Sequence, residues 1–263
     1  LRQLYGHYPA VDDAVPDFTV RLYAERWWRR FVRPSVQLSG DYMLPDASPL
    51  PLAQGLLAAE MAMNLQMAMG WRRHLLLHAS AAERDGRVLV MTGLSGSGKS
   101  TLSAILAENG WRFLADEFAL LDLDQGHIHP FPRLISLKNS SIAAMDKVID
   151  NKARFGPILK DTPKGDIRHL VPPQSAIDAM RESAPPILLL YPSFGKEKQI
   201  REVAPTENFV RLTQASTNYV ALGEAGFDAL TRFVQNVPAL AIDYSNANEA
   251  MAMIDELWLE ASR

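Results

Sequence analysis

Eight consecutive residues, Gly93-Leu94-Ser95-Gly96-Ser97-Gly98-Lys99-Ser100, have the spacing G-x-x-x-x-G-K-S, which suits a polyphosphate. Gly93, Gly96 and Gly98 allow a backbone whose successive N–H groups point inward, where a Cβ would block the approach. The Lys99 ammonium can set a compact positive charge against β and γ oxygens, and the Ser100 hydroxyl can ligate Mg²⁺. Ser95, Ser97 and Thr101 add hydroxyls along the same stretch. Sixteen residues past Ser100 stand two adjacent carboxylates, Asp116 and Glu117. Adjacent residues on a strand face opposite ways, so such a pair can send one carboxylate to a metal ion and the other to a proton. A solvated acidic strand end is the other reading. His78, fifteen residues before Gly93, is either a polar group of the same site or a hydrogen-bonded core histidine.

The elements that must position these groups are legible around them. Arg87–Thr92 is a short β-branched and aliphatic run suited to a buried strand, and it feeds the glycine-rich stretch. Thr101–Asn109 reads as a helix with Leu102, Ile105 and Leu106 on one face and Gly110 as its stop. A helix N-terminus placed there adds its partial positive charge to anion binding. Leu75 to Ala82, followed by the turn Glu83–Gly86, is expected to place His78 on a strand antiparallel to the one entering the loop. Trp111–Ala115 reads as a strand with Asp116-Glu117 at its C-terminal tip, where open α/β sheets place catalytic groups.

The remainder of the chain supplies scaffold. Residues 18–23 alternate as a half-buried strand does, and Trp27-Trp28-Arg29-Arg30 reads as an edge strand whose arginine stems cover rings. A cationic patch for an anionic or peptide partner is the alternative there. Pro45, Pro49 and Pro51 mark a break, so residues 1–47 are expected to pack on a body spanning 48–263. Leu52–Met69 is a helix, apolar nearly all round, that should be buried. Phe118–Leu123 and His127–Phe131 form a hairpin across Asp124-Gln125-Gly126. Leu134–Leu137 is a strand, and Lys138-Asn139-Ser140 should cap a helix over 142–149. Residues 147–168, basic and interrupted by Gly156 and Gly165, read as a loop, either a lid or a solvated excursion. Beyond it come a strand at Ile187–Tyr191, helices at 207–216 and 224–235, a strand at Ala239–Asp243, and a capping box Asn246-x-x-Glu249 opening a last helix.

Composition bounds the function. The formal charge of −3 gives no global field for nucleic acid, and the absence of cysteine removes disulfides, thiolate zinc sites and cysteine nucleophiles. No apolar run approaches the ~20 residues of a membrane span, and no charged-then-apolar leader is visible. A cytoplasmic protein without membrane or nucleic-acid partners is expected.

His78, the loop Gly93–Ser100 and Asp116-Glu117, with the spacings given above, resemble the HPr kinase/phosphorylase superfamily, and most of all its HPr-related kinase A branch. Leu134–Ser140 and the segment Gly165–Pro173 resemble that branch too. The resemblance implies an α/β fold with a P-loop core like the C-terminal domain of HPr kinase and like phosphoenolpyruvate carboxykinase, built on a mixed sheet with flanking helices. It implies phosphoryl transfer from ATP, with Mg²⁺, to a hydroxyl of a peptide, protein or small molecule, and it leans toward a homo-oligomer. By position, Asp116 resembles the family's general base and His78 its active-site histidine, while Glu117 stands where the family has a second, metal-associated aspartate. Ser100, Asp116 and Glu117 are then the implied metal ligands, and Lys99 neutralises phosphate charge. Lys138, Arg168 and Arg133 are alternatives for holding equatorial oxygens. Two other readings stay open: a P-loop ATPase or nucleotide-dependent switch without an acceptor, and an interaction module whose working surface is the aromatic N-terminus.

Overall fold

One turn of helix, α1 (Arg2–Tyr5), buries Leu4 at the start of the chain. The computed structural model describes residues 1–10, 13–44 and 48–263. The alternating run becomes β1 (Val20–Tyr23), antiparallel to β2 (Ser35–Gly40), which pairs with β3 (Leu50–Pro51). The break expected at Pro45 and the 47/48 boundary fall outside the described residues. Trp27–Arg30 is not an edge strand; it is one turn of 3₁₀ helix in the β1–β2 connection. There Phe31 and Val32 N–H both close on Trp28 C=O, and the arginine-over-ring packing survives in helical form.

The next helix, α2 (Gly55–Gly70), lies across this small sheet, and Gln66 exchanges two hydrogen bonds with the Tyr42 backbone. Its alanine face is what it buries (Ala58, Ala59, Ala62), while Met61 and Met69 remain half exposed. Burial all round does not hold: Met67 is buried against Leu76 and Phe118, but small side chains bring the opposite face close to the sheet and leave Met61 and Met69 outside. Tyr5 Oη donates to Glu60 and Tyr8 Oη to Pro132 C=O (2.5 Å), tying the first residues to the body.

From here the chain builds the main sheet. β4 (His74–Leu77) and β5 (Ala79–Arg84) are separated at His78, and β6 (Arg87–Thr92) returns antiparallel to β5 through a turn with Asp85 and Gly86 at positive φ. After the glycine-rich loop come α3 (Lys99–Glu108), β7 (Arg112–Ala115), the hairpin β8 (Ala119–Asp122) and β9 (Ile128–His129), then β10 (Ile135–Lys138) and α4 (Ser140–Val148). Trp111 N–H closes on Leu106 C=O across Gly110 (3.1 Å), which ends α3 as expected. The segment read as a loop from 147 to 168 is instead mostly a hairpin, β11 (Phe155–Thr162) and β12 (Gly165–Leu170), and β12 also pairs with β10. Gly165 is its turn, at φ +84°. Two register shifts and an irregular burial pattern along β11 spoil the alternation by which a strand is recognised.

The C-terminal part supplies α5 (Gln174–Asp178), β13 (Pro186–Phe194), β14 (Gln199–Glu202), α6 (Pro205–Ala215), α7 (Tyr219–Leu222), α8 (Glu224–Asn236), β15 (Ala239–Tyr244) and α9 (Ala247–Ala261). The six-stranded sheet runs β14-β15-β13-β6-β5-β7, with β13 parallel to both β6 and β15 and the other pairs antiparallel. It is a mixed sheet covered on both faces. Val88 and Val90 of β6 pack with Leu212, Leu230 and Phe233 of α6 and α8, while Leu89 and Met91 pack with Leu102 and Leu106 of α3 and Ile254 of α9. Burial on both faces is why β6 reads as continuously apolar. No helix among the described residues is long and apolar enough to cross a membrane.

Candidate functional site

β6 ends in the middle of the sheet, so the loop that follows it opens at the strands' C-terminal edge with α3 behind it. Gly93, Gly96 and Gly98 all hold positive φ, and no side chain caps the N-terminus of α3. The N–H groups of that first turn, at Lys99, Ser100 and Thr101, are therefore left for an anion. At Gly98, φ +101°, an added Cβ would collide with Tyr244 Oη, so a substitution there is strained and forces that ring to move. Tyr244 in turn donates to Ser97 C=O at 3.2 Å, clamping the loop from β15. Gly98→Ala is expected to displace Tyr244 and unseat the loop, lowering the melting temperature by several degrees and weakening nucleotide binding ~10-fold or more. Thermal melting and calorimetry read both, and native affinity in Gly98→Ala would overturn this.

The buried Lys99 ammonium donates to Gly93 C=O (2.6 Å) and Leu94 C=O (2.9 Å), with Ser97 Oγ at 3.5 Å. Burial pulls its pKa down, and the Asp116 carboxylate opposes that. Asp116 is itself only 7% exposed. Its Oδ1 accepts from Ser80 Oγ at 2.8 Å and its Oδ2 from Ser136 N–H at 3.2 Å, and the Ser100 hydroxyl is near enough to favour the ionised carboxylate. Burial pushes its pKa up to about 6, against the pull of those hydrogen bonds. Lys99, Ser100 and Asp116 thus meet at the head of α3. Ser100 Oγ and the Asp116 carboxylate are hard oxygen donors side by side, a set that fits Mg²⁺. The uncapped helix, the glycine cradle and Lys99 together fit a triphosphate.

His78 sits where the chain passes from one sheet to the other, not within the strand antiparallel to β6, because β4 pairs with β8 while β5 pairs with β6. Its Nδ1 lies 3.2 Å from Glu117 C=O and 3.6 Å from Glu117 Oε1. Burial lowers its pKa, and Glu117 counters that. His78 and Glu117 are partly exposed, so they stand at the mouth of the site and Asp116 at its floor. Of the three basic alternatives, Arg133 is drawn into Glu60 and Asn64, and Arg168 bonds to Gly156 C=O and Asp146. Lys138 is the one whose positive charge is felt at both Lys99 and His78.

Beside the loop lies a cleft of about 780 Å³, lined by His78, Gly93, Leu94, Ser95 and Ser97 of the loop region and by the cations Lys196, Arg201 and Arg211. Arg201 and Arg211 share one carboxylate, Glu207 (2.9 and 2.6 Å), and Lys196 faces Asp243 at 3.6 Å. Cations outnumber carboxylates in that lining. Ser80, Ser136 and Tyr244 were not anticipated from the sequence. Ser80 is a lone hydroxyl in the buried run Ala79–Ala82, which is the signal that it bonds to something.

His74, Asp122 and His129 form a second grouping, with one ligand atom each within 4.8 Å of the others. Trp71 Nε1–H donates to His74 Nδ1 at 3.1 Å. That bond places the proton of neutral His74 on Nε2, so the ring presents no free lone pair to a cation. It is a hydrogen-bonded cluster.

No family model matches the chain, and no curated protein matches it. Among solved structures it is similar to the Hpr(Ser) kinase/phosphatase from Coxiella burnetii, at 16% identity across 70% of this chain and 98% of that one, with a TM-score of 0.33. Likeness at that level carries no argument about the site, whose reading rests on its own chemistry.

Proposed function

We propose that the protein is a phosphotransferase that moves the γ-phosphoryl group of ATP to a hydroxyl of a peptide, protein or small molecule. The observation that carries this is the meeting of Lys99, Ser100 and the buried, proton-seeking Asp116 at the head of an uncapped helix. Phosphoryl transfer asks a protein for positioning, charge neutralisation and a base, and little covalent chemistry. In this reading the loop N–H groups and Lys99 hold the phosphates, and Lys138 adds charge beside them. Ser100, Asp116 and Glu117 would hold Mg²⁺, which would supply further neutralising charge to the phosphates. Asp116 accepts the proton of the acceptor hydroxyl as its oxygen bonds to the γ-phosphorus, and the bond to the β–γ bridging oxygen breaks to release ADP. A carboxylate with pKa near 6 is well matched to that task at neutral pH.

One observation favours a second reading. Each Asp116 oxygen accepts one hydrogen bond, which fixes the carboxylate as a metal ligand in an ATPase or nucleotide switch would be fixed. Incubation with γ-labelled ATP and candidate hydroxyl peptides separates the two. The transferase moves label to an acceptor and releases little phosphate without one; full-rate phosphate release with no acceptor present would sink the transferase. Glu117→Gln should raise the Mg²⁺ needed for half-maximal turnover ~10-fold while retaining measurable transfer. An unchanged Mg²⁺ dependence would remove Glu117 from the metal.

A further inference from the structure

Several arginines of this fold pair with a carboxylate, as Arg73 does with Asp17, Arg112 with Glu83 and Arg154 with Glu108. Residues 21–33 depart from that pattern. Among the described residues, Arg21, Arg26, Arg29, Arg30 and Arg33 have no carboxylate partner, and Glu25 is the only acid within the stretch. In a chain of net charge −3 this is a local concentration of positive charge. Large apolar side chains stand out beside it, with Trp27 76% and Phe31 77% exposed. Arg26 and Arg29 rest over the Trp28 ring (5.9 and 4.9 Å to its centroid), which preorganises their guanidinium groups at the surface.

Three further features have the shape of a binding surface. A hollow of about 400 Å³ is lined by Arg29, Arg33, Pro34 and Pro51, so two cations stand at the rim of a proline-walled depression. Arg33 holds φ +44° immediately before a proline, a conformation costly for that position and kept where the surroundings impose it. The outer edge of β1, whose solvent face carries Arg21 and Tyr23, pairs with no strand among the described residues. Cations for carboxylates and aromatic rings for an apolar side chain lie together along residues 26–33, which connect β1, with its open edge, to the β2–β3 side that walls the hollow.

We propose that this surface docks an acidic, extended segment of a partner protein carrying at least one apolar side chain. A nucleic acid would also meet the arginines. It has no row of amide N–H and C=O groups to continue β1, which an extended peptide has. Such docking is independent of the transferase reading, since it concerns binding and not transfer.

The test uses the full chain and a dye-labelled peptide of alternating glutamate and valine, followed by fluorescence anisotropy. Saturable binding that weakens as salt rises is expected, with no binding of the matching lysine–valine peptide. Arg26→Glu with Arg30→Glu should weaken binding ~10-fold or more, and Trp27→Ala should weaken it independently. Both changes fall on exposed side chains, and thermal melting reports whether either alters the fold. Absence of saturable binding would overturn the proposal, as would affinity unchanged in both variants. A single-stranded oligonucleotide or phosphatidylserine vesicles displacing the peptide at lower concentration would overturn it in favour of those ligands.

Discussion

Asp116→Asn is expected to bind Mg-ATP with near-native affinity and to turn over ~10²-fold more slowly, or worse. The substitution is nearly isosteric, and the pocket can absorb it. The new amide oxygen can accept from Ser136 N–H, while the Ser80 hydroxyl rotates to accept from the amide N–H. What is lost is the proposed proton acceptor. The same change has a second, independent signature in stability. Burial raises the Asp116 pKa from an ordinary 3.8 to about 6, so between those values the folded chain keeps a proton that the unfolded chain has released. Stability therefore falls as pH rises through that window, and above about 6 the full cost of a buried carboxylate is felt. A displacement of that size corresponds to at most about 3 kcal/mol. In the absence of nucleotide, Asp116→Asn should accordingly melt higher than the native protein at pH 8, and the gain should vanish below about pH 4. The acid limb of kcat/KM, which reports the free enzyme, should fall near pH 6. Native turnover in Asp116→Asn would remove the base assignment; a melting difference that ignores pH would remove the physical basis for it.

What could be read in the sequence was local. β6, the glycine-rich loop and α3 are contiguous, each with its own signature, so this strand, turn and helix were legible in the sequence. Asp116 and His78 could be placed at strand ends because the strands beside them are short and apolar. The parts that escaped depend on residues far apart in the chain. Ser136 acts on Asp116 through a backbone N–H twenty residues away, and a backbone donor has no sequence signature. Tyr244 reaches Ser97 across 147 residues, and only the parallel pairing of β15 with β13 and of β13 with β6 brings it there. The β11–β12 hairpin hid behind its charges and bulges. Lys138, Arg168 and Arg133 were equivalent as letters. Folding separates them, by giving Arg133 and Arg168 acidic partners.

The position of Lys99 makes its replacement the sharpest test of where the triphosphate lies. Its ammonium now ties Gly93 and Leu94 carbonyls together from inside the loop, and Asp116 is the carboxylate that most supports its charge. Lys99→Ala removes both the tie and the charge at once. ATP affinity should drop ~10²-fold or more, equivalent to about 3 kcal/mol, and amide exchange across Gly93–Ser97 should quicken as the carbonyls lose their donor. Lys99→Arg should not restore affinity, because a planar fork cannot replace a point donor between two carbonyls five and six residues away. The contrast with Asp116→Asn is what gives the pair its force. One substitution is expected to abolish binding along with chemistry, the other chemistry alone, and a general disturbance of the loop could not produce that division. If Lys99→Ala kept native ATP affinity, the phosphates would have to lie out in the adjoining cleft, against Lys196, Arg201 and Arg211. The buried Asp116 would then have no reacting oxygen to serve.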